Sequence, residues 1–240
     1  MWEKDLPLQE RQAVEMTRSV EAMVGEQLYR SQLARKERIE EGHAIANPVI
    51  TISRAMGSGG RIVARKLADD LGFSLWDREL IDLMAKEADV ASKVVEAFDE
   101  KDASEIELLI RGALGDHVSA GFIYPMHLAR AVAIIASVGN AVILGRGANY
   151  LLKNALNIRM DASLEKRIEN MMVYEEIDRH TAERKIKRSD KERERFVQKV
   201  FGKERISYSH FDLCLWMDKF TAADAAEIIE TAYRKRFKLG

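Results

Sequence analysis

The chain has 240 residues, 38 of them lysine or arginine and 39 aspartate or glutamate, for a formal net charge of −1 at pH 7. That near-neutral balance excludes a dedicated nucleic-acid-binding protein, and 47% hydrophobic residues with only three prolines exclude a disordered one. The length supports one sizeable core with an added arm or lid.

The N-terminal MWEKDLPLQERQ lacks the apolar core of a signal peptide, and no segment approaches the ~18 uninterrupted apolar residues of a membrane span. With a single cysteine, Cys214, and therefore no intramolecular disulfide, the expectation is a cytoplasmic protein that does not engage a membrane. From about Leu8 to Glu41 the spacing predicts a charged amphipathic helix whose apolar stripe runs through Val14, Val20, Met23, Val24, Leu28 and Leu33. Residues 1–46 thus read as a helical arm, with the stripe packed on the main domain or on a second subunit in a homodimer. Gly42 to Pro48 is the linker, because glycine and the pre-proline restriction on Asn47 end the helix.

The main domain, residues 47–240, opens on the most informative stretch, PVITISRAMGSGGRIVARKLADDLG. Val49, Ile50 and Ile52 form a β-branched run, Gly57, Gly59 and Gly60 free the backbone to turn, and Ile62, Val63, Leu67 and Leu71 recur at helical spacing. A strand, a glycine-rich turn and a helix N-terminus in that order make an anion site, because unpaired N–H groups and the positive end of the helix dipole face the turn. The phosphate-loop pattern G-x-x-x-x-G-K-[ST] also needs a lysine and a magnesium-binding hydroxyl. Aligned from the strand, Gly60 stands at the lysine and Arg61 at the hydroxyl. In a register one residue longer Arg61 becomes the cation, able to bind phosphate oxygens bidentately but not to ligate a metal, and Ser53 and Ser58 are the nearest hydroxyls. The plain alternative is a tight strand-to-helix turn that holds nothing.

Phe73 to Trp76 is a short strand, followed by a helix that Asp77 opens. Glu105 to Leu114 and His127 to Val138 read as helices. AVILG, Ala141 to Gly145, is a continuously apolar strand entering the turn Gly145-Arg146-Gly147, and NIRMD, Asn157 to Asp161, is a third strand. SLEKRIENMMVYEE and a long charged stretch to about Val200 are helical, HFDLCLWMD supplies a last strand and TAADAAEIIETAYRKRF a last helix. Strands alternating with helices imply an α/β domain whose parallel sheet is covered on both faces.

Ligands bind at the C-terminal ends of such strands. There Asp77 and Arg78 offer an acceptor and a cation, or else a helix cap and a solvated arginine. Arg146, between two glycines after a buried strand, is a charge that the turn itself does not need. In RKIKRSDKERER the placement between the third and last strands suits the closing lid of a phosphotransferase, with Arg188, Asp190 and Arg193 bearing the site, although most such runs are solvated helix faces. The dispersed histidines have no metal-ligand spacing, and Cys214 reads as a small core residue.

Taken in order, ITISRAMGSGGR, LWDRELI, VILGRGANYLL, SDKERERF and FDLCLWMD resemble the cytidylate kinase-like family, relatives of bacterial cytidylate kinase among the P-loop nucleoside monophosphate kinases. The resemblance implies a three-layer P-loop NTPase fold on a five-stranded parallel sheet, with a helical NMP-binding insertion and an arginine-bearing lid at about residues 178–203. It also implies ATP-dependent phosphorylation of a pyrimidine monophosphate such as CMP or dCMP, with magnesium. By carry-over, Gly57, Ser58, Gly59, Gly60 and Arg61 cradle the donor phosphates, and Asp77, Arg78 and Arg146 face the acceptor nucleotide. Arg188, Asp190 and Arg193 form the lid site and act with Arg61 in catalysis; no metal ligand is assigned. Two other readings stand beside this one: a degenerate, non-catalytic nucleotide-binding module that signals through the arm, and a kinase with a different small-molecule acceptor.

Overall fold

In a computed structural model the described residues are 20–40, 47–86, 123–202 and 207–238. Their elements in chain order are α1 (Val20–Glu40), β1 (Val49–Arg54), α2 (Gly60–Asp70), β2 (Ser74–Trp76), α3 (Arg78–Lys86), α4 (Ile123–Val138), β3 (Ala141–Leu144), α5 (Ala148–Leu151), β4 (Leu156–Asp161), α6 (Leu164–Glu175), α7 (Arg179–Phe201), β5 (Leu213–Trp216) and α8 (Ala222–Arg236). The helix expected at Glu105 to Leu114, most of the linker, and the arm before Val20 lie outside the described residues.

The five strands form one parallel sheet in the order β2-β3-β1-β4-β5. Successive strand residues point to opposite faces, so β1 and β3 supply two cores. Val49, Ala141 and Ile143 meet α3, α4 and α5 on one face, whereas Ile50, Ile52, Val142 and Leu144 meet α2 and α8 on the other. This is the three-layer α/β P-loop fold expected from the sequence. β1 is central, flanked by β3 and β4, so the loop after it emerges at the middle of the sheet's C-terminal edge. Buried Thr51 donates its hydroxyl to Asn157 Oδ1 at 2.6 Å, a side-chain bond between directly paired residues of β1 and β4.

Helix α1 lies on this domain rather than apart from it. Val24 and Ala34 are buried, Gln27 Oε1 accepts from the Leu75 N–H at 2.8 Å, and the Ser31 and Ser74 hydroxyls are 2.7 Å apart. Since β2 is an edge strand, Gln27 satisfies a backbone donor that no neighbouring strand reaches. Leu33, placed in the stripe by its spacing, is exposed. Cys214 also departs from expectation, being exposed rather than in the core. β5 is the other edge strand and buries Leu215 while Cys214 and Trp216 project from the opposite, open face. Among the described residues no helix is long and apolar enough to cross a membrane.

Candidate active site

The turn between β1 and α2 is shaped by glycine at the positions where geometry demands it. Gly57 and Gly59 both sit at φ 82°, and a β-carbon on Gly57 would stand 2.5 Å from the Arg167 carbonyl oxygen. No side chain caps α2, so its first N–H groups are left to the loop and to whatever the loop holds. Ser58 turns inward, its hydroxyl donating to the Ala55 carbonyl at 2.9 Å. α6 clamps the loop from the side: Arg167 Nε donates to the Met56 carbonyl at 2.6 Å and Asn170 Nδ2 to the Gly57 carbonyl at 2.8 Å. Met56 in turn packs on Ile168, Met171, Ala182 and Ile186, a small core that joins α6, α7 and the loop.

Four arginines converge at this edge. Arg54 ends β1, Arg159 lies in β4, Arg167 in α6 and Arg193 in α7. Arg159 donates to Asp161 at 2.7 Å and to the Ser53 hydroxyl at 3.2 Å, and Arg167 donates to Asp190 at 2.7 Å. Arg193 donates to the carbonyl of Arg54. Among the described residues neither Arg54 nor Arg193 has a carboxylate within ion-pairing distance. Burial, followed by repulsion from Arg193, pushes the Arg54 guanidinium down to about 9; burial also brings Arg193 to about 10, against the pull of Asp190 and helped by Arg159, Arg167 and Arg78. An arginine does not give up its proton under ordinary conditions, so these shifts express uncompensated positive charge that an anion relieves.

The other predicted positions fall into three groups. Asp77 caps α3, accepting from the Leu80 N–H at 3.1 Å, and also accepts from Arg61 at 3.0 Å, so cap and charge partner are one residue. Arg61 is 62% exposed and paired with Asp77 and Glu79, and Arg78 leans toward Asp82 at 4.0 Å. Arg146, at φ 53°, donates to Asp82 and lies 4.9 Å over the Phe196 ring, which makes it a packed residue rather than a loose turn arginine. The next residue, Gly147, lies against the Phe201 ring, which a β-carbon there would strike. In α7, Asp190 and Arg193 face the loop. Arg188 does not: it is 81% exposed and paired with Glu192 at 2.7 Å. Five residues along a helix amount to about 140° of rotation, which carries Arg188 away from the face that bears Arg193.

Arg54, Arg159 and Arg167 were not singled out from sequence. The available signal was a charge inside a buried run, as in NIRMD, where Arg159 is 8% exposed. For magnesium, no group of three His, Cys, Asp or Glu side chains occurs among the described residues, and the Ser58 hydroxyl gives its proton to the Ala55 carbonyl. The ion would be held by substrate phosphates and water.

Comparison with known proteins bears on the family and the fold. The model of the cytidylate kinase-like family matches residues 49–219. Curated proteins gave no match. Among solved structures, an uncharacterized protein from Eubacterium ventriosum ATCC 27560 is similar with 22% identity and a TM-score of 0.53, covering 78% of this chain and 98% of its own. A shikimate kinase from Acinetobacter baumannii, solved with shikimate, is 16% identical with a TM-score of 0.39, covering 80% of this chain and 96% of its own.

Proposed function

The chain belongs to the cytidylate kinase-like family, and on that premise we propose that it transfers the terminal phosphoryl group of ATP to a pyrimidine nucleoside monophosphate such as CMP or dCMP. The observation that carries this is the convergence of Arg54, Arg159, Arg167 and Arg193 on a glycine-rich turn, with two of the four lacking a carboxylate partner among the described residues. Phosphoryl transfer asks little covalent chemistry of a protein; it asks for cations around the charge on the transferring group and for exclusion of water. In this scheme the donor phosphates lie against Gly57, Ser58, Gly59, Gly60 and the start of α2. Arg193 and Asp190 act from α7, and Asp77, Arg78 and Arg146 border the acceptor. Magnesium accompanies the donor, and no step depends on a protein ligand to it.

ADP formation from Mg-ATP with CMP, dCMP, UMP and AMP, with Arg193→Ala as control, tests the proposal. Turnover with one acceptor that falls by at least about tenfold in the control is expected, as loss of one charged hydrogen-bond donor predicts. A second reading has its own support: the loop has no lysine, Arg61 stands at the position of the usual hydroxyl, and Arg61 is tied to Asp77 and Glu79. That favours a binding module without turnover. Nucleotide-dependent thermal stabilisation with no ADP formed would select it.

A further inference from the structure

We propose that Arg54 takes the place of the missing loop lysine, its guanidinium reaching the outer phosphates of the donor from the end of β1. This rests on the reading of the turn as a triphosphate site and goes beyond it by naming the residue that neutralises the ligand there. In the pattern G-x-x-x-x-G-K-[ST] aligned from the strand, the first glycine falls at Arg54 and the lysine at Gly60. The two positions have exchanged character, a cation where glycine is usual and glycine where the cation is usual.

The structure shows why one change demands the other. A β-carbon on Gly60 would stand 2.7 Å from Arg54 Cβ and 3.0 Å from Cγ, so any other residue at 60 displaces the root of the Arg54 side chain. Further out, a β-carbon on Gly145, at φ 89°, would fall on Arg54 Nη1. Glycines from two separate segments therefore bound the path of a single side chain and bring its guanidinium between the loop and the end of β3. There it makes one hydrogen bond among the described residues, a long one of 3.4 Å to the Leu144 carbonyl. A guanidinium carries five N–H donors, and a part-buried one with most of them unspent is set up for a bidentate anion. Arg61, in contrast, has its partners in Asp77 and Glu79 and lies in solvent.

The experiment is titration of inorganic tripolyphosphate and of ATP against the full chain, by calorimetry and thermal shift. It covers the wild type, Arg54→Met, Arg54→Lys and Arg184→Met, the last a charge-matched control on the exposed side of α7. Arg54→Met should weaken both ligands by at least about tenfold, the worth of a charge-assisted hydrogen bond. Arg54→Lys, which keeps the path and the charge, should retain part of the affinity, and Arg184→Met should match the wild type. In an Arg54→Gly background, adding Gly60→Lys should restore binding by returning the cation to its usual position. Wild-type binding undiminished in Arg54→Met, or an equal loss in Arg184→Met, overturns the assignment while leaving the triphosphate site intact. A folded double variant that binds no better than Arg54→Gly overturns the exchange. A wild type that binds neither ligand overturns the site itself.

Discussion

Gly57 is held in place by two constraints that act on the same atom. Its φ of 82° lies where a β-carbon is strained, and the space that atom would need is taken by the Arg167 carbonyl at 2.5 Å. Gly57→Ala therefore cannot relax by rotating, because the obstacle is backbone. We expect a loss of about 2–4 kcal/mol, the upper range for backbone strain combined with a steric clash, read as a lower urea midpoint at unchanged m-value. A change below about 0.5 kcal/mol would mean that α6 does not clamp the loop this closely. Arg146 makes a different case. Spacing alone marks it as a turn residue whose removal should leave the core alone, yet it is paired to Asp82 and stacked on Phe196. Arg146→Ala leaves the partly buried carboxylate with only the more distant Arg78, 4.0 Å away, and removes a cation–π contact, so we expect about 2 kcal/mol of destabilisation in chemical denaturation. Arg146→Lys should recover less than half of it, since a lysine cannot lie flat on the ring.

At the scale of elements, α1 and α7 show what a one-dimensional pattern can and cannot carry. Both are legible as helices. α7 even announces its ends, with Asp178 accepting from the Thr181 N–H at 3.0 Å and Gly202 closing the helix at φ 62°. The strands were equally plain, because buried parallel strands are continuous apolar runs. What the pattern withheld was orientation. Charges surround α7 on all sides, so the choice between Arg188 and Arg193 turned on which face meets the loop. Arg54 and Arg159 went unread for a related reason: their role comes from strands adjacent in the sheet but far apart in the chain. For α1 the withheld fact was its seat. Gln27 closes the open edge of β2, which ties the helix to the domain by a specific hydrogen bond. Gln27→Ala should cost about 1 kcal/mol and speed hydrogen exchange at the Leu75 amide, the one donor it satisfies. An unchanged Leu75 exchange rate would show that α1 does not hold that edge.

For the whole molecule, the decisive quantity is the contrast between a net charge of −1 and a cluster of arginines at one sheet edge. Acidic residues balance the sum and pair with Arg159 and Arg167, yet leave Arg54 and Arg193 without a carboxylate partner among the described residues, so the folded protein holds like charges close together in a part-buried place at a cost in stability. An anion bound there removes that cost as well as adding its own contacts. With tripolyphosphate at about 100 times its dissociation constant, linkage gives about 2.7 kcal/mol of stabilisation. For a chain of this size each kilocalorie is worth about 2–4 °C, so the melting temperature should rise by about 5–10 °C. The rise should shrink as sodium chloride goes from about 50 to 500 mM, because salt screens the approach of the ligand to the more exposed cations. Arg54→Met separates the two contributions. Replacing a part-buried charge that has no carboxylate partner among the described residues with an apolar side chain of similar reach should leave the ligand-free protein at least as stable as the wild type, while the tripolyphosphate increment at the same ligand concentration falls by at least about half. A ligand-free variant that melts well below the wild type would instead make Arg54 a structural residue, held by its contact with Leu144 and needed for the fold of the loop rather than for what the loop binds.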